Sequence, residues 1–185
     1  AECEGMAIQG EGRFLPYPSS PVPLACARPS MSAPNTILYK RPTFVTQLPV
    51  THRYAPSHCW LSRTPEGLWE VGFTKFALRM LGELVDIQFD RAEGASIQPG
   101  DVLGTIEGFK AVSDLFCVGT GTFRGGNPAL RNDLEILSRE PYGAGWLYRF
   151  EGQPDERCLD VQGYQGLLDA TIDRILAKQQ ADESR

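Results

Sequence analysis

The chain has 185 residues, 42% hydrophobic and 22% charged, with 18 Lys and Arg against 23 Asp and Glu for a formal net charge of −5. That length holds one compact domain with tails or two very small ones, and the composition is that of an ordinary globular protein. The acidic balance argues against a nucleic-acid groove or an anionic membrane surface as partner, and no stretch approaches the roughly 18 uninterrupted apolar residues of a membrane span.

Residues 1–50 are read as a flexible or extended segment, because "FLPYPSSPVPLACARPSMSAPN" is dense in proline and serine and carries neither helical nor strand periodicity. Order is expected from residue 51. Trp60 and then Trp69, Val71 and Phe73 sit in two short bulky runs around "RTPEG", which predicts a hairpin. "TKFALRMLG" predicts a short helix, with Thr74 as N-cap, Phe76, Ala77, Met80 and Leu81 as its apolar face, and Gly82 as its stop. In "ELVDIQFD", Leu84, Asp86 and Gln88 alternate with Val85, Ile87 and Phe89, as in a strand with one wet face.

A loop with Gly94 and a Pro99–Gly100 turn signal follows. "VLGTIEG" and "AVSDLFCV" predict two strands joined by a reversal at Phe109–Lys110, with Gly108 supplying turn dihedrals. "GTGTFRGG" is read as a loop, and Asn127 and Pro128 as the cap and first turn of a helix over "ALRNDLEIL". One more strand closes this domain, 51–152. In the helical extension 153–185, "GYQGLLDATIDRILAKQQ" predicts an amphipathic helix with Leu167, Leu168, Ile172, Ile175 and Leu176 on one stripe. Short strands, turn signals and few helices give a mainly β fold, a small sandwich or flattened barrel.

Most candidate chemistry has a plainer explanation. "GTGTFRGG" fits neither dinucleotide nor Walker spacing. His52 and His58, the only histidines, lack further ligands at short spacing, so no metal is expected. His58 and Cys59 are adjacent, and neighbours in a strand point to opposite faces, so they make no nucleophile–base pair. Glu107, Asp114 and Asp86 read as solvated strand carboxylates, and no catalytic constellation emerges. The five cysteines (Cys3, Cys26, Cys59, Cys117 and Cys158) form no CxxC, and an odd, scattered set suits a reducing compartment, so a cytoplasmic location is expected. Lys110 is left, an amine on a tight turn, suited to carrying a covalent swinging arm.

From Ser57 to Gly152 the chain resembles the glycine cleavage system H protein and its lipoyl-carrying relatives. "HCWL" is similar to the family's His-x-Trp opening, "EVGFTKFALRMLGELVDIQF" to its strand, helix and strand, "EGFKAVSD" to its lipoylation segment, and "NPAL" with "EPYGAGWL" to its closing motif. The resemblance implies a lipoyl-domain-like β-sandwich and a non-catalytic carrier, with lipoate covalently attached at Lys110. Glu107 and Gly94 match family positions expected to guide the lipoylating enzyme, while Gly108, Phe109, Ala111 and Asp114 flank the arm. Biotin carriers place methionines beside their lysine, so lipoate is the implied arm. Implied partners are glycine decarboxylase, aminomethyltransferase, dihydrolipoamide dehydrogenase and a lipoate ligase or lipoyl/octanoyl transferase, with an aminomethyl group or electrons as cargo. The family's usual Ser-Val before the lysine is Gly108-Phe109 here. Alternatives are an H-like lipoate-binding protein of another pathway, such as sulfur oxidation, or an unlipoylated H-like adaptor.

Overall fold

The structure, a computed structural model, describes residues 35–109 and 111–183. Strands β1 (Thr36–Arg41) and β2 (Phe44–Pro49) form an antiparallel two-stranded sheet in which Arg41 pairs with Phe44 across a two-residue reversal. This corrects the expectation of a flexible segment to residue 50, whose first 34 residues lie outside the described ones. The pair is ordered because Tyr39, Phe44, Thr46 and Leu48 alternate onto one buried face. The partner of that face is a helix some 130 residues away in sequence.

Next come β3 (Arg53–Tyr54), β4 (Cys59–Arg63), β5 (Trp69–Phe73) and helix α1 (Lys75–Leu81). The β4–β5 hairpin and α1 fall where the sequence puts them. Thr74 Oγ1 caps the helix by accepting from Ala77 N, and Gly82, at φ 79°, ends it. Strands β6 (Leu84–Phe89), β7 (Ser96–Ile97), β8 (Val102–Gly108), β9 (Ala111–Phe116), β10 (Gly119–Gly126) and β11 (Trp146–Pro154) follow, with the short helix α2 (Ile136–Arg139) between β10 and β11. Helix α3 (Val161–Glu183) ends the described chain.

Sheet order is β3-β4-β5-β11-β10-β7 in one layer and β6-β8-β9 in the other. Leu61, Val71, Phe123 and Phe150 from the first layer share one core with Leu103, Ile106 and Leu115 from the second, which makes the expected sandwich. A second core, under β1 and β2, joins Tyr39, Phe44, Leu48, Tyr54, Trp60 and Phe76 to Val161, Tyr164, Leu168 and Ile172 of α3.

The alternation in β6 is broken at its start, and three other local readings are corrected. A register irregularity between Leu84 and Asp86 turns Leu84 onto the core and leaves Val85 53% exposed. "GTGTFRGG" is strand β10, paired with β11 and β7, not a loop. Its glycines answer to close approach: a Cβ on Gly119 would lie 2.4 Å from the Phe150 ring, and one on Gly121 would lie 1.9 Å from Glu151 O. The helix predicted over "ALRNDLEIL" is a 3₁₀ turn, Pro128–Arg131, capped by Asn127 as expected, followed separately by α2. Finally, the C-terminal extension is not helical throughout. Strand β11 runs to Pro154, and α3 begins at Val161, seven residues on, with Leu168 and Ile172 buried and Leu167, Ile175 and Leu176 partly so.

Candidate functional site

Strands β8 and β9 stay in register up to the pair Gly108–Ala111, so the strands close to within two residues of each other in sequence. Lys110 itself lies outside the described residues. The strand end leading into it is pinned, because Phe109 N donates to Glu83 O at 2.8 Å. The Phe109 ring is 78% exposed, and Val112 just past the turn is 65% exposed. Gly108 is buried, and Asp114 is exposed three strand positions beyond Ala111.

Glu107 pairs across β8 with Asp86 on one side and Val112 on the other. Asp86 and Glu107 are thus like charges directly opposite, an arrangement that disfavours folding slightly. Asp86 offsets part of this locally, with Oδ1 accepting from Ile87 N and Oδ2 from Gln88 Nε2. The structure brings Glu107, Gly108, Phe109, Ala111 and Asp114 to one hairpin, but not Gly94. Leu84 pairs with Gly108 at the turn end of the sheet, and Phe89 with Gly104 at the other. Gly94 follows Phe89, so five residues of strand, about 16 Å, separate the two ends. There Gly94, at φ 88°, donates its N–H to Phe123 O.

Between α1 and β9 lies a mostly apolar cleft of about 220 Å³, walled by Phe73, Met80, Leu81 and Phe116, with Asp114 and His58 at its polar points. Nothing in the sequence pattern marks this cleft. His58 is the one non-glycine residue among those described with positive φ, at 62°. Its backbone is held on both sides: its N–H donates to Ala55 O at 2.9 Å, and its carbonyl accepts from Thr74 N at 3.1 Å and Thr74 Oγ1 at 2.9 Å. The ring Nδ1 lies 3.0 Å from Tyr164 Oη, which lies 3.0 Å from Thr74 Oγ1. Burial lowers the His58 pKa from its ordinary value, so the ring is neutral at pH 7.

The three described cysteines are not nucleophiles. Cys59, Cys117 and Cys158 are buried free thiols, and burial pushes Cys59 up to about 12 and Cys158 to about 11. Among the described residues no cluster of three His, Cys, Asp or Glu could hold a metal, and no helix is long and apolar enough to cross a membrane.

Residues 52–168, the span that holds the sandwich, the turn and the first third of α3, match the family described as Glycine cleavage H-protein. The chain belongs to that family. This H protein is 30% identical over 128 residues to the glycine cleavage system H protein of Escherichia coli O45:K1, covering 68% of the present chain and 98% of that relative. The glycine cleavage system H protein of Shigella boydii serotype 18 matches to the same extent. The crystal structure of a glycine cleavage system H protein from Mycobacterium marinum superimposes with a TM-score of 0.58 at 32% identity, covering 64% of this chain and 97% of the other. The family is one of non-catalytic lipoyl carriers, which agrees with a site made of a turn and a cleft. Two elements of this H protein lie outside the matched span, β1–β2 and α3 beyond residue 168.

Proposed function

We propose that Lys110 bears the lipoyl arm of a glycine cleavage carrier, which takes an aminomethyl group from glycine decarboxylase, delivers it to aminomethyltransferase and is reoxidised by dihydrolipoamide dehydrogenase. The observation that supports this reading is the β8–β9 register, which closes at Gly108–Ala111 with two residues between the paired strands. A modifying enzyme needs such an amine held away from the body of the domain. The attached dithiolane supplies the redox and group-transfer chemistry, by thiol–disulfide exchange and sulfur-linked cargo.

The chain's own residues present and identify the lysine. Glu107, exposed beside the turn, is the acidic mark for a lipoate ligase or lipoyl/octanoyl transferase. Phe109 and Val112 offer apolar contact to whichever enzyme receives the arm. Gly94, at the far end of the sheet, acts through the backbone, because a side chain there would strain its loop at φ 88°.

The test is intact mass and peptide mapping after incubation with lipoate, ATP and a lipoate ligase. One lipoyl increment on Lys110, absent from a folded Lys110→Arg variant that keeps the charge but not the acylatable amine, is the expected result. A folded wild-type protein that gains no increment would instead be an adaptor that docks through Phe109 and Val112.

A further inference from the structure

The hairpin outside the family match has two edges, and they are not alike. Arg41 and Phe44 pair across a two-residue reversal, so that pair exchanges backbone hydrogen bonds, and at the other end Val50 N donates to Asn35 O in the same phase. Bonding to β2 therefore falls on the odd-numbered residues of β1. The N–H and C=O groups of Thr36, Leu38 and Lys40 point away from β2, and no described residue takes them up. The outer edge of β2, at Val45, Gln47 and Pro49, is blunted instead. Pro49 has no N–H, its carbonyl accepts from Tyr54 Oη at 2.8 Å, and the Gln47 carbonyl accepts from Thr46 Oγ1 at 3.4 Å. The open edge also carries bare apolar surface: Leu38 is 62% exposed and Val45, its diagonal neighbour on the outward face, is 55% exposed.

We propose that β1 is a dimerisation edge, pairing antiparallel with β1 of a second copy about a two-fold axis through Leu38. The free groups set the register. With Leu38 opposite Leu38 of the second copy, Thr36 stands opposite Lys40 and Lys40 opposite Thr36. Every free N–H and C=O of these three residues then meets its complement across the axis. Sliding by two residues sets Thr36 opposite Pro42, which has no N–H to give, and brings the two Lys40 ammonium groups together. In the centred register Lys40, the charge that guards this edge, is four residues of strand from its counterpart, about 13 Å and beyond the screening length at physiological salt. Opposite residues of an antiparallel pair share a face, so the two Leu38 side chains meet on the outward face with Val45 of each copy beside them, and Tyr39 keeps its place over α3. Each hairpin has one such edge, so the hairpins close as a pair rather than growing. The pairing does not depend on what Lys110 carries. With an arm on each copy, an enzyme docked at one meets the other at raised effective concentration.

The experiment is sedimentation equilibrium of the full chain under reducing conditions, from about 1 µM to about 1 mM, because an interface of one strand edge is small and its dimer concentration-dependent. The mass is expected to rise from the 20.4 kDa of one chain towards twice that, and to stop there. Leu38→Lys sets like charges face to face at the axis and should weaken the dimer about tenfold. Thr36→Glu gives each Lys40 a carboxylate across the axis and should tighten the dimer about threefold, while Thr36→Lys should weaken it. Within one chain positions 36 and 40 are too far apart to pair, so opposite responses at position 36 report this register and no other. Each variant changes an outward-facing side chain, and its fold is verified by its amide spectrum. A mass that stays at 20.4 kDa throughout overturns the proposal, as does growth beyond two copies. A dimer indifferent to Leu38→Lys, or one that responds to Leu38→Lys but not in opposite senses to Thr36→Glu and Thr36→Lys, overturns it as well.

Discussion

His52 gives the protein a pH-dependent stability that can be worked out from its surroundings. The side chain is buried, its ring centroid 5.0 Å from that of Trp60 and 6.2 Å from that of Tyr142. Nδ1 meets Thr51 Oγ1 at 3.2 Å, while Nε2 is buried with no hydrogen-bond partner. Loss of solvation lowers its pKa from 6.5 to about 4. The unfolded chain therefore takes up a proton near pH 6.5, and the folded chain does so only near pH 4. The stability this residue contributes is complete above pH 6.5, falls as the pH drops from there, and is exhausted near pH 4. At 1.36 kcal/mol per pKa unit the full change is about 3 kcal/mol, of which about 2 kcal/mol is lost by pH 5. Urea unfolding of wild type and His52→Gln, compared from about pH 7.5 to about pH 5, isolates the effect, since the carboxylates and His58 are common to both. The wild type should lose about 2 kcal/mol more than the variant over that range. A difference between the two that stays constant with pH would refute the assignment of a buried, neutral, unpartnered imidazole.

Four further outcomes follow from packing and charge. Gly121→Ala forces a Cβ to within 1.9 Å of Glu151 O at φ 151°, and should cost at least about 2 kcal/mol by chemical denaturation. Gly166→Ala, in α3 with nothing within 4 Å of the added carbon, should stabilise by up to about 1 kcal/mol in the same assay. Phe44→Ala removes a buried ring set edge-on to Phe76 at 5.6 Å and should cost about 3 kcal/mol, with faster hydrogen exchange over residues 36–49. Glu107→Gln relieves the repulsion from Asp86, so its thermal midpoint should stay level or rise slightly while its rate of lipoylation falls.

What could be read from the sequence was what is determined locally. Helix α1 has its cap and stop within nine residues, and the structure keeps both, but the face it buries is Phe76, Ala77 and Leu78, with the predicted Met80 58% exposed. The β8–β9 reversal is set by its two flanking strands, again within reach of a short window, although Gly108 is a paired residue of β8 without positive φ and does not supply the turn dihedrals expected of it. Strand β10 misled because glycines that make room for Phe150 and for the β11 backbone look, in one dimension, like glycines that make a turn. Strands β1 and β2 were hidden by the proline-rich sequence before them and by the distance to their cover, Tyr39 bonding Asp169 across 130 positions. The polar machinery of the cleft was invisible for the same reason. His58 and Tyr164 are 106 positions apart, and neither carries a local mark of the other.

The elements outside the family match also bear on how small a carrier can be made from this chain. Tyr39 donates to Asp169, Arg41 bonds Asp169 and Asp173, and Arg79 of α1 donates to Thr43 O, so the added hairpin is fastened to α3 and to the wall of the cleft together. Deleting residues 36–49 would strip Ile172, Ile175 and Leu176 of their cover, and deleting α3 beyond residue 168 would bare Tyr39 and Phe44. Either cut alone trades a folded module for a sticky one. A minimal version should remove both ends at once, and any transplant of the hairpin onto a shorter relative needs the distal helix to travel with it.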